Sequence, residues 1–194
     1  KEIIFHSIDV FSDLVPYSNI IVVLPKNQRD YWKNITTKSV YSKLKIAIGG
    51  NNRFESVQSG LEIIPNNALV AIHDSVRPLV SQETIINAFQ LAEDRGSAIP
   101  VINCSDSLRK LNNNTSVSVD RSNYKLVQTP QCFQSTRLKK AYIQKYRAEF
   151  TDDASVYESN GEEIYLCDGN QENIKITYPH DLKIAESIFS LRSI

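Results

Sequence analysis

Two charged side chains three residues apart, Asp74 and Arg77, close the segment Ala68-Leu69-Val70-Ala71-Ile72-His73-Asp74-Ser75-Val76-Arg77-Pro78. The five apolar residues that open it read as a strand buried on both faces, as in the middle of a parallel sheet. In open α/β sheets, ligands bind just beyond the carboxyl ends of the strands. A carboxylate and a guanidinium at that place suit a phosphorylated or metal-bound substrate. The plainer reading is an Asp that caps the next turn and an Arg that pairs with it. Taken alone, the segment leaves both open.

Three other groups have chemistry to offer. Gly49-Gly50-Asn51-Asn52-Arg53-Phe54-Glu55-Ser56 joins a short apolar run to a helix start. Its glycines allow close backbone approach to a ligand, and the helix N-terminus presents free N–H donors. Ser56 adds a hydroxyl able to meet a base edge, whereas Asn51 or Asn52 as N-cap is the purely structural alternative. Thr129-Pro130-Gln131 reads as a loop at a sheet edge, and Thr151-Asp152-Asp153-Ala154-Ser155 as a helix cap. In Asn173-Ile174-Lys175-Ile176-Thr177 the alternation puts Asn173, Lys175 and Thr177 on one side of a strand. An edge-strand lysine facing water is the plain explanation of Lys175.

The elements that must hold these groups alternate. Helical spacing covers 3–14, 28–37, 53–64, 82–95, 138–146, 154–158 and 180–191; strand-like runs cover 20–24, 45–48, 68–73, 97–102, 163–167 and 173–177. Tyr31 and Trp32 are expected in the core or packed between helices. The pattern predicts an α/β fold, a Rossmann-like, mostly parallel sheet with helices on both faces. Short runs at 107–111, 116–119 and 124–127, around Asn112-Asn113-Asn114, predict a β-hairpin arm within 105–127. Its apolar face is too small to stand alone and suits dimer contact. No linker or repeat interrupts the chain, so 1–194 is expected to form a single domain.

With 22 basic and 22 acidic residues the formal net charge is zero, which argues against a nucleic-acid binder held by bulk charge. No apolar run approaches the length of a membrane span. Cys104, Cys132 and Cys167 lack metal-type spacing and read as free thiols of a reducing, cytoplasmic setting.

Order is more specific than any single group. Gly-Gly-x-x-Arg-x-x-Ser, His-Asp-x-x-Arg-Pro, Asp-Ser-x-Arg, Asp-Arg-Ser, Gln-Thr-Pro-Gln, Thr-Asp-Asp-Ala-Ser and Asn-Ile-Lys-Ile-Thr follow one another from 49 to 177. In this series the chain closely resembles the 2-C-methyl-D-erythritol 4-phosphate cytidylyltransferases of the non-mevalonate isoprenoid pathway. The resemblance implies a nucleotide-diphospho-sugar-transferase type of fold and a reaction of CTP with methylerythritol phosphate that releases pyrophosphate. It implies Mg²⁺ bound mainly through CTP phosphates, no metal site built from protein residues, and a homodimer formed through the arm. Gly50, Asn51 and Ser56 would surround the cytosine, with Asn51 where many relatives carry Asp. Asp74 and Ser75 would lie by the ribose. Arg77, Ser107, Arg121, Thr129, Thr151 and Lys175 would face the substrate and its phosphates, Arg121 from across the dimer. Lys175 and Arg121 are the catalytic candidates, Lys175 as a point charge on the pentavalent phosphorus.

One departure stands out. The family opens with a strand and a Gly-rich loop, Leu-Ala-Ala-Gly-x-Gly-x-Arg, and then Pro-Lys-Gln. These do not occur in the 194 residues, which begin with Lys and contain no Met. The chain is therefore expected to begin partway into its protein. Two other functions fit the motifs: transfer to another alditol phosphate such as ribitol 5-phosphate, and a non-catalytic nucleotide-binding dimer lacking the N-terminal loop.

Overall fold

Local signals start and stop the helices where the sequence offers caps. In the computed structural model, which describes residues 1–192, Asn52 caps α3 (Arg53–Ile63) by accepting from the Glu55 N–H at 2.9 Å. Ser81 caps α4 (Gln82–Arg95), and Gly96, at φ 97°, closes it in the left-handed conformation that a side chain resists. Asp152 and Ser155 form a reciprocal capping box at the start of α6 (Asp153–Glu158).

The remaining helices are α1 (Ile3–Ser12), α2 (Arg29–Thr36), α5 (Ser135–Ala141) and α7 (Pro179–Arg192). Strand β1 (Ile21–Leu24) runs parallel to β2 (Lys45–Ile48), with Ile21 opposite Lys45 and Leu24 opposite Ile48. A second sheet has the order β3 (Leu69–Ile72), β8 (Gln131–Gln134), β4 (Ser97–Asn103), β7 (Lys125–Val127), and β9 (Leu166–Asp168) joins β4 in parallel. The β8 ladders to β3 and β4, and the β7 ladder to β4, are antiparallel. The architecture is α/β, with its parallel pairs at β1–β2 and β4–β9. Strands β5 (Leu108–Asn112) and β6 (Thr115–Val119) pair only with each other among the described residues. Leu111 at this hairpin is 78% exposed.

Helix α3 packs on β1 and β2 while Phe54 and Leu61 enter the main core with Val70, Ile99, Phe133 and Tyr157. A second core joins Phe5, Val22, Leu24, Trp32 and Leu44. Phe5 stacks on Tyr41 with ring centroids 4.2 Å apart.

Several expectations need correction. Tyr31 is exposed and donates to Glu2 at 3.1 Å, while its neighbour Trp32 takes the buried position. Strand β3 is half-buried except at Val70, because β8 is its single described ladder partner and runs antiparallel. The helix expected to reach 146 ends at Ala141. Residues 173–177 form no strand. Ile176 N–H bonds to the Val76 carbonyl at 2.9 Å, too little to make a ladder, and Asn173 is buried while Lys175 is open to solvent.

Candidate active site

Strand β3 ends at Ile72, and the next residues turn sharply: the Arg77 N–H returns to the Asp74 carbonyl at 3.0 Å. The turn is held from three sides. Ser7 of α1 donates to the Ser75 carbonyl at 3.3 Å. Phe11 of α1 packs on the His73 ring with centroids 5.1 Å apart. Thr129, just before β8, accepts from the Asp74 N–H at 3.1 Å and lies 3.0 Å from His73 Nδ1.

These contacts assign the His73 tautomer. Its Nε2 is 3.0 Å from the Arg77 carbonyl, which can only accept, so Nε2 carries the proton. Nδ1 then accepts from the Thr129 hydroxyl. Burial pushes the His73 pKa down to about 4, and the ring is neutral at pH 7.

Beyond this turn lies a cleft of about 260 Å³, lined in part by Arg53, Asp74, Arg77, Thr129, Thr151 and Lys175. Asp74 is its hub. Lys175 Nζ is 3.0 Å from Asp74 Oδ2, Arg53 Nε 3.6 Å from Oδ1, and Arg77 Nε 3.7 Å from Oδ2. Burial works against the Asp74 charge. The Lys175 hydrogen bond and the Arg53, Lys175 and Arg77 charges outweigh it and hold the carboxyl below the usual range. Arg77 is therefore near Asp74 without hydrogen-bonding to it; its Nη1 donates instead to the Asn173 carbonyl at 2.7 Å. Burial lowers the Arg77 pKa, and among the described residues its Nε has no hydrogen-bond partner.

A further layer stands behind Arg53. Its Nη2 is 2.5 Å from Asp153 Oδ2, and Asp153, fully buried, also accepts from the Tyr142 hydroxyl at 2.6 Å. Burial disfavours the Arg53 charge, but Asp153 and then Asp74 more than compensate and raise its pKa. Gln131 ties the same region together, donating to Asp152 at 2.8 Å and accepting from the Ala154 N–H at 2.9 Å. A second cleft of about 430 Å³ adjoins the first and shares Arg77, Val127, Gln128 and Lys175 with it. Three cations around one ionised carboxylate, with Thr129 and Thr151 beside them, give a pocket suited to a polyanionic ligand such as a phosphate ester.

The comparisons with known proteins agree with this chemistry. The model of the family 2-C-methyl-D-erythritol 4-phosphate cytidylyltransferase matches residues 1–191. The chain belongs to that family. The enzyme of that name from Bacteroides thetaiotaomicron is 43% identical over 189 residues, covering 97% of this chain and 86% of the relative. The one from Clostridioides difficile is 34% identical, covering 98% and 83%. The crystal structure of the Thermus thermophilus enzyme superposes with a TM-score of 0.82 at 27% identity, covering 98% of this chain and 90% of that one.

The residues that the family resemblance singled out fall into three places. Asp74, Arg77, Thr129, Thr151 and Lys175 meet at the first cleft. Gly50, Asn51 and Ser56 sit at the start of α3 and do not line it. There the Asn51 backbone N–H and its side-chain amide both donate to the Glu55 carboxylate, at 2.7 and 2.9 Å, and Ser56 donates to the Asn52 carbonyl at 2.8 Å. A Cβ at Gly49 would stand 2.8 Å from Ser56 Oγ, so a side chain there would push the Ser56 hydroxyl aside. Ser75 is exposed at the turn. Ser107 and Arg121 are exposed on or beside the hairpin, away from both clefts of their own chain, and Arg121 Nη1 donates to the Ser105 carbonyl.

Sequence reasoning gave no role to Arg53, Asp153, His73 or Gln131. All four belong to the quoted motifs, and their presence there was the available signal.

Proposed function

We propose that this chain joins CTP and 2-C-methyl-D-erythritol 4-phosphate to give 4-diphosphocytidyl-2-C-methyl-D-erythritol and pyrophosphate. The observation that carries the proposal is the convergence of Lys175, Arg53 and Arg77 on Asp74 in a cleft of a chain that belongs to this family. A phosphate oxygen of the methylerythritol phosphate attacks the α-phosphorus of CTP. The bond from that phosphorus to the bridging oxygen breaks, and pyrophosphate leaves with the electron pair. Negative charge builds on the phosphoryl oxygens, so fixed cations and in-line positioning do most of the work. Lys175, half-exposed on an irregular segment, is the cation with the freedom to follow that charge. Arg77 and Thr151 are suited to the methylerythritol phosphate, and Gly50, Asn51 and Ser56 to the cytosine. Asp74 and the turn at Ser75 are suited to the ribose.

The carboxylates at the cleft are engaged: Asp74 by cations, Asp152 by Gln131 and by the Ser155 N–H at 2.9 Å. This fits Mg²⁺ held mainly on CTP phosphate oxygens, where it would neutralise triphosphate charge. The exposed apolar residues Leu111 and Val117 of the hairpin support a homodimer through the arm, with Ser107 and Arg121 facing a partner's site. Net charge zero gives no pull toward nucleic acid. No described helix is long and apolar enough to cross a membrane, and free thiols suit the cytoplasm.

Pyrophosphate release from CTP, with methylerythritol phosphate compared against ribitol 5-phosphate, tests the proposal. Preference for the first is expected. Release with ribitol phosphate alone, or none with either from the full-length protein, rejects it.

A further inference from the structure

We infer that Arg53 is a positioning residue whose role is to remain the counter-ion of Asp74 when Lys175 turns to substrate phosphate. Naming phosphate as the destination of Lys175 rests on the cytidylyl-transfer reading; the hold of Arg53 on Asp74 does not.

The two cations are built differently. Lys175 is half-exposed on a segment without a ladder, and among the described residues its one ion pair is the 3.0 Å contact with Asp74. Arg53 begins a three-turn helix, and its guanidinium is pinned at 2.5 Å by Asp153, which Tyr142 holds in turn at 2.6 Å. Asp153 has no exposed surface, so its charge needs Arg53, and Arg53 cannot swing toward a ligand without stranding it. A second Arg53 nitrogen, Nε, faces Asp74 Oδ1 at 3.6 Å, within Coulombic reach.

Asp74 thus has in Lys175 a cation free to leave and in Arg53 one that cannot, with Arg77, itself tied to the Asn173 carbonyl, 3.7 Å away. The groups facing it are Arg53 from α3, Arg77 and neutral His73 from its own turn, Thr129 from the approach to β8, and Lys175 from beyond β9. Without Arg53 the carboxylate would lean on Lys175 and withhold it from phosphate.

The test has two arms, neither of which needs turnover. In the first, the Asp74 carboxyl is titrated by carbon NMR, assigned by its loss in Asp74→Asn. Lys175→Met should leave its midpoint below that of a free aspartate. Arg53→Met should raise it, the double variant should raise it further, and Arg53→Lys should restore part of the shift. In the second, inorganic pyrophosphate binding is measured by calorimetry on Arg53→Met/Asp153→Asn. This pair leaves the net charge unchanged and removes the buried carboxylate that would endanger folding. Severalfold weaker binding than wild type is expected. An Asp74 midpoint that follows Lys175 alone, or wild-type pyrophosphate affinity in the charge-neutral double variant, overturns the inference. Absence of pyrophosphate release by the wild-type chain would instead count against the proposed reaction.

Discussion

Lys175 Nζ lies 3.0 Å from Asp74 Oδ2, closer than either arginine that shares the carboxylate. A lysine in that position is stored on an anion inside the cleft, and a stronger anion, such as a triphosphate, can take it over. The pair keeps the lysine near the site of reaction at the cost of a modest, partly solvated ion pair.

Removing this charge should cost turnover more than stability. Lys175→Ala is expected to lower kcat/KM for pyrophosphate release by roughly 10²-fold or more if the ammonium meets charge that develops in the transition state. Thermal unfolding should barely move, because the side chain is half-exposed. Turnover equal to wild type would remove Lys175 from the chemistry.

Arg121 offers a test of sharing between subunits. It is exposed beside the hairpin and absent from both clefts of its own chain. Arg121→Ala and Lys175→Ala should each be impaired, and mixing them after subunit exchange should restore part of the activity. Mixtures no better than the average of their parents would argue that each site is complete within one chain.

His73 predicts a pH dependence of stability with a definite sign. Its pKa is lowered from 6.5 to about 4 by burial. Between those values the unfolded chain binds the proton and the folded chain does not, so stability rises with pH across that window and is flat above it. The span corresponds to roughly 3 kcal/mol lost between pH 6.5 and 4. Urea unfolding of wild type and His73→Asn at several pH values should show the slope in the first and a shallower one in the second. Parallel curves would contradict the neutral, Nε2-protonated ring.

Tyr142→Phe removes one hydrogen-bond donor from the buried Asp153. A loss of about 1–3 kcal/mol in urea unfolding is expected, since the carboxylate has no water to turn to. A change near zero would mean that Arg53 alone satisfies Asp153.

The groups that announced themselves in the sequence are those whose role depends on position along a single element. Asp74 and Arg77 follow an apolar run, so a strand end was readable. Lys175 was singled out through the family resemblance; periodicity made it an edge-strand lysine facing water. The alternation at 173–177 resembles a strand, but one backbone bond to Val76 replaces the ladder, and burial of Asn173 breaks the sidedness. Asn173 turns inward because its amide donates to the Thr129 carbonyl at 2.9 Å, a contact no periodicity encodes. The pairing of Arg53 with Asp153 spans 100 residues, and each reads locally as an ordinary first-turn charge. Strand β8 was hidden altogether, since Thr129-Pro130-Gln131 reads as a loop and no strand was expected at 131–134.

Helix α3 carries a consequence for how the molecule opens. Gly60 brings it so close to β1 that a Cβ there would sit 3.1 Å from Val23 Cγ2, while Leu61, the next residue, is buried with Val70 of β3. The same helix presents Arg53 at its first turn. Two sheets and the cleft are thereby hinged on a single rod, and neither sheet can peel away without dragging the guanidinium off Asp74. Amide exchange in β1 and β3 should then share one opening free energy, and ligands that tighten the cleft should slow exchange as far away as Val22.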